Sequence, residues 1–428
     1  MPLLFLCYVV AYVDRVNVSI AKLTMTRDLP GFDDAVIGFG AGLFFWGYFL
    51  LEIPGSLLVE KWSARRLICR IMVVWGFAAA LTAFVKTPFQ FYLARFLLGL
   101  AEAGFFPGMI VYLTHWFPGR DRTRALSWFL IATPIAQLIS PKISNALLKI
   151  GTGEMINGKV VYYPGLFGLK GWQWVYIYWG IPAVLLGIAA LLALTDRPSE
   201  AKWLTVEEKD ALEAALEKER AGHGAARRMT VFEAFQHPKV LLLVAAYFCS
   251  TAANYSLEFF LPSILQQWYS LTPDSITSFI LLPPILALAG QLFVGWNADR
   301  TKERRLHAVI PIIAGVVALG LTPFTRGHLS LTIVCFMATA AGIKAYQPAF
   351  WSLPSLFLTG PAAAGSIGLI NSIGNLGGFL GPTVLGTVQK YTGSFVGGIY
   401  YLCASMAICA AIIAAIGIGR RESSGIEN

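Results

Sequence analysis

SLLVEKWSARR, at residues 56–66, and GWNADRTKERR, at residues 295–305, are two versions of one polar loop in the two halves of the chain. Each loop places an acidic residue directly before a basic one and ends on a pair of arginines. Each also joins two long apolar segments. A motif that recurs once in equivalent surroundings indicates an internal repeat. We therefore expect two related halves.

These loops are interpreted as a cytoplasmic gate. The acidic residue caps a helix N-terminus, and the basic residues meet the end of a facing helix. The residues assigned to this gate are Glu60, Lys61, Arg65, Asp299, Arg300 and Arg304.

The composition indicates a polytopic membrane protein. Of 428 residues, 56% are hydrophobic and only 13% are charged, and the mean hydropathy is +0.63. Soluble globular enzymes carry about twice that share of charge. Twelve apolar segments are long enough to cross about 30 Å of hydrocarbon. The predicted spans are residues 2–21, 35–58, 66–85, 89–115, 125–149, 173–194, 239–266, 275–297, 306–323, 329–357, 364–388 and 396–418.

The predicted fold is an all-α membrane protein with two six-helix bundles. The bundles comprise residues 1–195 and 239–428, and the site is expected between them near the membrane midplane. The linker, residues 196–238, is expected to form a short amphipathic helix, because TVEE at 205–208 is a capping box before an apolar stripe.

Most of the 33 lysines and arginines lie in loops on one predicted side of the membrane. The positive-inside rule then places both termini in the cytoplasm. The net charge of +9 needs no nucleic-acid partner. The six cysteines lie singly and lack metal-ligand spacing, so we expect no metal and no cofactor.

Four charged residues interrupt the first and fourth spans: Asp14, Arg15, Arg95 and Glu102. A charge near the bilayer centre costs about 2.5–3.5 kcal/mol on insertion scales and therefore faces a protein interior or a wet cavity. The functional interpretation is that they bind a substrate or a proton. The alternative is that they form structural ion pairs that fix helix packing.

Charge alone suggests a coupling mechanism. If Asp14 and Glu102 take up protons, the interior becomes net positive, and an organic anion becomes a suitable partner for Arg15 or Lys344. Proton binding and anion binding are then linked.

Several motifs carry a family resemblance. They are YVDRVN at 12–17, RFLLGLAEAGFFPG at 95–108, GWQW at 171–174 and PSEAKWLT at 198–205. With the twelve spans and the duplicated loop, they resemble the anion:cation symporter family of the major facilitator superfamily. That family includes bacterial galactonate, glucarate, tartrate and phthalate permeases, and it is related to sialin and vesicular glutamate transporters.

The resemblance implies roles for individual residues. Asp14 and Glu102 match the proton-coupling carboxylates, Arg95 matches the arginine that interacts with them, and Arg15 matches the arginine for the substrate carboxylate. The positions that resemble further substrate contacts are Tyr48, Gln137, Trp351, Ser352 and Asn371. Lys344 and Glu258 have no clear counterpart, and Lys344 is assigned from its charge as a second cation for substrate. Tyr48 and Asn371 have structural alternatives, since each side chain can instead hydrogen-bond a neighbouring helix.

The predicted function is proton-coupled uptake of an organic carboxylate by alternating access, with a sugar acid such as an aldonate or aldarate as substrate. A tartrate-like dicarboxylate, an aromatic carboxylate, and an exchanger or facilitator without proton coupling remain alternatives. Span 5 lacks the glycine-rich Gly-Pro signature of drug/proton antiporters, which argues against drug export. A sensor on a transporter scaffold and a membrane enzyme are disfavoured.

The expected partners are the small anion, protons and the lipid bilayer. The protein is expected to be a monomer in a bacterial inner membrane.

Overall fold

The computed structural model describes residues 1–61, 63–117, 125, 129, 131–156, 159–162, 164–222, 237–301, 303–354 and 360–417. The chain divides into two compact units, Met1–Ala226 and Arg227–Asn428. Within the described ranges, nine helices are long and apolar enough to cross a membrane. The chain is therefore a multi-pass membrane protein.

In the first unit, the described residues form helices and one hairpin. Its helices are α1 Pro2–Val16, α2 Val18–Asp28, α3 Asp34–Lys61, α4 Ala64–Leu81, α5 Pro88–Glu102, α6 Phe105–Trp116, α7 Ala132–Leu148, α8 Gly171–Ala193 and α9 Val206–Gly222. Its strands are β1 Gly153–Ile156 and β2 Lys159–Tyr162.

In the second unit, the regular secondary structure of the described residues is helical. Its helices are α10 Pro238–Tyr269, α11 Pro273–Phe279, α12 Leu282–Thr301, α13 Arg305–Leu321, α14 Leu329–Ala345, α15 Gln347–Ser352, α16 Gly360–Asn375, α17 Gly377–Thr392 and α18 Val396–Ala415.

Helix starts follow the local sequence. Thr87 and Thr272 each precede a proline, and each hydroxyl accepts a hydrogen bond from the backbone N–H three residues later. A threonine N-cap satisfies a donor that the first helical turn leaves unpaired, and proline fits the next position because it lacks an N–H. The TVEE motif behaves as predicted: Thr205 and Glu208 exchange reciprocal hydrogen bonds at the start of α9.

The fourth predicted span, residues 89–115, is two helices rather than one. Helix α5 ends at Glu102, and α6 begins at Phe105 after Gly104, which has a φ of 83°. A left-handed backbone is strained for any residue with a Cβ, so glycine permits the break. Glu102 therefore lies at the end of a helix.

Helices α3 and α5 pack with their backbones in close contact. A Cβ on Gly99 would lie 2.0 Å from the carbonyl oxygen of Phe44, and a Cβ on Gly47 would lie 2.2 Å from that of Phe96. Small residues allow this approach. It brings the side chains of α3 beside the charged residues of α5.

Candidate functional site

Asp14 lies on α1 inside the first unit and is 1% exposed. Its two carboxylate oxygens have different partners. The indole Nε1 of Trp75 on α4 donates to Oδ2 at 2.6 Å, and Nδ2 of Asn17 donates to Oδ1 at 3.3 Å. A buried carboxylate needs such donors, because it has left water. Trp75 was not predicted from the sequence.

Arg15 forms an ion pair with Glu102, in which Nη2 donates to Oε1. Glu102 is buried, and its Oε2 has no hydrogen-bond partner within the described residues. An unsatisfied buried oxygen is uncommon in proteins and calls for an explanation such as proton binding.

Aromatic rings surround the guanidinium groups. The Arg15 guanidinium carbon lies 5.2 Å from the ring centre of Phe44 and 5.1 Å from that of Tyr48. The Arg95 guanidinium carbon lies 5.3 Å from the same Phe44 ring. Because ring faces attract cations, Phe44 stabilises two arginines in one low-dielectric region.

Arg95 is the centre of this charged cluster and is 0% exposed. Its Nη2 donates to the carbonyl oxygen of Arg15 at 3.4 Å. Glu102, Asp14 and Tyr176 all lie within its electrostatic range. The structure thus brings together the four charged residues that the sequence singled out, and it adds Trp75, Phe44 and Tyr176 to them.

Tyr48 and Gln137 both lie in the first unit. Tyr48 is buried beside Arg15, within electrostatic range of Glu52 and Glu102. Gln137 on α7 donates through Nε2 to the hydroxyl of Tyr12 at 3.1 Å. Their assignment to substrate stays a prediction.

The second unit contains its own ion pair. Lys344 on α14 lies 3.4 Å from Glu258 on α10, measured from Nζ to Oε1, and Asn254 donates to the same oxygen at 3.1 Å. The lysine and glutamate side chains are 23% and 16% exposed. These are the two charged residues that the family resemblance did not explain.

The other predicted substrate residues of the second unit lie on α15 and α16. The Trp351 ring packs against Tyr247, with ring centres 4.8 Å apart. Ser352 donates to the carbonyl oxygen of Ala349 at 2.6 Å. Asn371 is half-buried on α16. Their roles toward a substrate stay predictions.

Arg65, in the first predicted gate, pairs with an acid that was not predicted. Its backbone N–H donates to Asp196 Oδ1 at 2.9 Å, and its Nε lies 3.4 Å from Oδ2. Ser63 also donates to Asp196, so this carboxylate lies at the N-terminus of α4. A negative charge there is favourable. The side chains of Glu60 and Lys61 lie outside the described residues.

The neighbouring residue Thr195 is held by two further side chains. The hydroxyl of Tyr112 and the indole N–H of Trp116 both donate to its carbonyl oxygen, each at 3.0 Å. We call Thr195 and Asp196 the linker anchor, because they follow α8 at the point where the predicted linker begins.

In the second gate loop, a carboxylate again lies at the N-terminus of a helix. Both oxygens of Glu303 accept from the backbone N–H of Leu306, at 3.0 and 2.8 Å, at the start of α13. Arg304 is the N-cap residue of that helix, and Arg300 lies over the Trp296 ring at 5.4 Å. The side chain of Asp299 lies outside the described residues.

The part of the chain that the structure describes contains no group of three or more metal-ligating side chains. What it does contain is a buried cluster of two carboxylates and two guanidiniums in a membrane protein. Such a cluster is suited to holding an anion and exchanging protons.

Comparison with known proteins agrees with this architecture. Residues 4–382 match the family described as the Major Facilitator Superfamily. The chain belongs to this superfamily. The crystal structure of a D-xylose-proton symporter matches with a TM-score of 0.73 at 14% identity, and the match covers 99% of this chain and 98% of that one. The predicted all-α major facilitator fold is thereby confirmed, while the cytoplasmic position of the termini stays a prediction.

Two sequence relatives extend the comparison. A putative tartrate transporter of Agrobacterium vitis is 40% identical over 428 residues, which is 100% of this chain and 91% of that protein. A quinolone resistance transporter of Acinetobacter baumannii is 37% identical over 401 residues, 94% of this chain and 89% of that protein. This member of the Major Facilitator Superfamily is therefore a transporter and not an enzyme.

Proposed function

We propose that this protein is a proton-coupled symporter that takes up an organic carboxylate anion, as a member of the anion:cation symporter family in a bacterial inner membrane. The observation that carries the proposal is the ion pair between the half-buried Arg15 and the buried Glu102, beside Asp14. A guanidinium with a fixed fork of donors is well suited to bind a carboxylate.

The coupling step uses competition for one cation. With Glu102 ionised, its carboxylate occupies Arg15. Once Glu102 takes up a proton, the electrostatic attraction between the two side chains is lost, and the guanidinium becomes available to a carboxylate of the substrate. Asp14, within electrostatic range of Glu102, takes the second proton. Each proton bound thus favours anion binding, and by linkage the anion favours proton binding.

The substrate class follows from chemistry and from the relatives. A hydroxylated acid, either an aldonate or aldarate or a tartrate-like dicarboxylate, fits a site with one arginine and several hydroxyl and amide groups. The relative named as a putative tartrate transporter supports a carboxylate. Transport then proceeds in a monomer by alternating access.

A second candidate is aromatic-acid transport or drug export, which the relative named as a quinolone resistance transporter favours. A single panel of substrates distinguishes these two candidate functions.

Uptake of labelled compounds into proteoliposomes tests the proposal. The panel contains an aldonate, an aldarate, tartrate, an aromatic carboxylate and a quinolone, each with an inward proton gradient imposed or collapsed by an ionophore. We expect accumulation of a hydroxylated acid that disappears with the gradient. Equilibration that ignores the gradient would make the protein a facilitator or exchanger, and movement of the quinolone alone would favour drug export.

A further inference from the structure

We propose that Trp75 is a positioning residue of the proton-coupling site, which holds one oxygen of the Asp14 carboxylate and directs the coupling proton to the other oxygen. This inference rests on the proposed proton symport. Its evidence is the geometry of three side chains, those of Asp14, Trp75 and Asn17.

Oδ2 of Asp14 accepts a hydrogen bond from a buried indole. Trp75 is completely buried on α4, its ring packs edge-on against Phe105 with ring centres 5.4 Å apart, and its N–H lies 2.6 Å from Oδ2. An indole nitrogen donates and cannot accept. A proton on Oδ2 would weaken this hydrogen bond, because a protonated carboxyl oxygen is a poorer acceptor than a carboxylate oxygen, so the proton is expected on Oδ1.

Oδ1 of Asp14 has a partner of a different kind, the side-chain amide of Asn17. It accepts from Asn17 Nδ2, and the amide oxygen of Asn17 is buried without a hydrogen-bond partner among the described residues. An amide offers a donor on one side and an acceptor on the other. A half-turn of the Asn17 amide would present that oxygen to a protonated Oδ1. Asn17 can thus satisfy Asp14 in both protonation states.

The effect of Trp75 on Asp14 is distinct from that of the surrounding charges. Among the described residues, the charged and titratable groups within range of Asp14 are Glu102 and Arg95 on α5 and Tyr176 on α8, with Arg15 next to it on α1. Their influence persists when Trp75 is replaced. The indole N–H adds its own stabilisation of the ionised carboxylate, because hydrogen bonds to a charged form favour that form.

Replacing the indole N–H therefore has a predictable direction. In Trp75→Phe the ionised carboxylate loses a donor, so Asp14 should take up its proton at a higher pH. Because hydrogen bonds to charged groups are among the stronger ones, we expect the midpoint to move up by about one pH unit, a tenfold change in proton affinity.

The experiment measures protonation directly. The full-length protein in lipid is titrated by infrared difference spectroscopy, and the carboxyl band of Asp14 is identified by its loss in Asp14→Asn. Trp75→Phe should shift the midpoint upward, and the pH profile of uptake should move with it. Trp75→His, which keeps an N–H donor, should move the midpoint back toward that of the wild type.

The matched control is Trp179→Phe. Trp179 is also buried, but its indole donates to the neutral hydroxyl of Ser144 at 3.0 Å. This variant makes the same chemical change away from Asp14 and should leave the midpoint where it is. Equal midpoints in Trp75→Phe and the wild type, or an equal shift in Trp179→Phe, would overturn the inference.

A measurement on the wild type covers the case in which Trp75→Phe does not fold. An indole N–H band should change at the pH at which the Asp14 carboxyl band appears, and should stay constant in Asp14→Leu. A constant indole band in the wild type contradicts the role of Trp75. Since the titration needs no substrate, absent proton-driven uptake would refute the proposed symport without deciding the role of Trp75.

Discussion

In the proposed mechanism, Glu102 and Arg15 each exchange one partner for another when a proton binds. Glu102 would bind either Arg15 or a proton, and Arg15 would bind either Glu102 or a substrate carboxylate. Because both side chains lie inside a membrane protein, leaving either charge uncompensated costs several kcal/mol. The two exchanges are thus expected to occur together.

Glu102→Gln removes the proton site while keeping the shape of the side chain. We expect proton-driven accumulation to be lost, because no carboxylate competes for Arg15, whereas exchange of labelled for unlabelled substrate continues. Counterflow and gradient-driven uptake in proteoliposomes distinguish the two activities. Accumulation at the wild-type level would remove Glu102 from the coupling mechanism.

Lys344→Gln tests the second cation. If Lys344 binds a carboxylate of the substrate, the loss of one charge-assisted hydrogen bond should raise KM by roughly 10- to 100-fold. The effect should be greater for a dicarboxylate than for a monocarboxylate.

Glu258→Gln is the matched variant, since it removes the internal competitor of Lys344 and should lower KM. An unchanged KM in both variants would mean that the Lys344–Glu258 pair serves packing alone.

The charged residues of the cluster could be predicted from the sequence, since an ionisable side chain in an apolar span is conspicuous. Trp75 could not, because tryptophan is ordinary in such a span and its hydrogen bond joins residues that are 61 positions apart in the chain. The partner of Arg65 was missed for a related reason. Asp196 lies far along the chain, and only the fold brings it to the start of α4.

At the level of elements, the contact between α3 and α5 determines the geometry of the cluster. Gly99→Ala should be strongly destabilising, because the new methyl group would meet the backbone of Phe44, which has no rotamer by which to move away. Overpacking of this kind costs about 1–3 kcal/mol. Thermal unfolding of the purified protein and substrate affinity should both report the change.

Gly368→Ala is the control for that variant. Gly368 lies on α16, and among the described residues a methyl group added to it would meet no atom within 4 Å outside the adjacent backbone of its own helix. Since alanine favours a helix over glycine by about 1 kcal/mol, this change should be neutral or stabilising. Similar losses of stability in both variants would show that close α3–α5 packing is not the cause.

Two of the differences from expectation have local reasons. The end of α5 depends on a left-handed backbone at Gly104, and a glycine in an apolar span gives no sign of whether it packs or bends. The β1–β2 hairpin was not predicted, although the residues between its strands indicate a turn. The residues between its strands are Asn157-Gly158, a pair that favours tight hairpin turns.

For the whole molecule, the proposed coupling to two protons predicts that uptake is sensitive to membrane potential. When a monoanion enters with two protons, one net charge crosses the membrane, and an inside-negative potential contributes about 2.3 kcal/mol per 100 mV. Accumulation should then rise roughly 50-fold for a potential of about 100 mV imposed by potassium and valinomycin. Accumulation of a dianion with two protons should not depend on the membrane potential, because no net charge crosses. If accumulation of a monoanion is also independent of the potential, only one proton enters with each substrate molecule.

The fold class was predictable because composition, span length and the duplicated loop all agree, and consistent signals at several levels specify a fold. The substrate was not, since it depends on a few side chains whose positions are set by packing. Tyr48, Gln137 and Asn371 illustrate this. Each is a common residue in a membrane helix, and only its neighbours distinguish a binding role from a structural one.

The linker anchor has a consequence for isotope exchange. The backbone amide of Arg65 donates to a carboxylate from a distant part of the chain, so its hydrogen can exchange with deuterium only when Asp196 moves away. Mass spectrometry of the peptide around Arg65 would then report how readily the anchor separates from α4. A bound anion that slows this exchange would reveal, without any transport measurement, that the linker responds to the site.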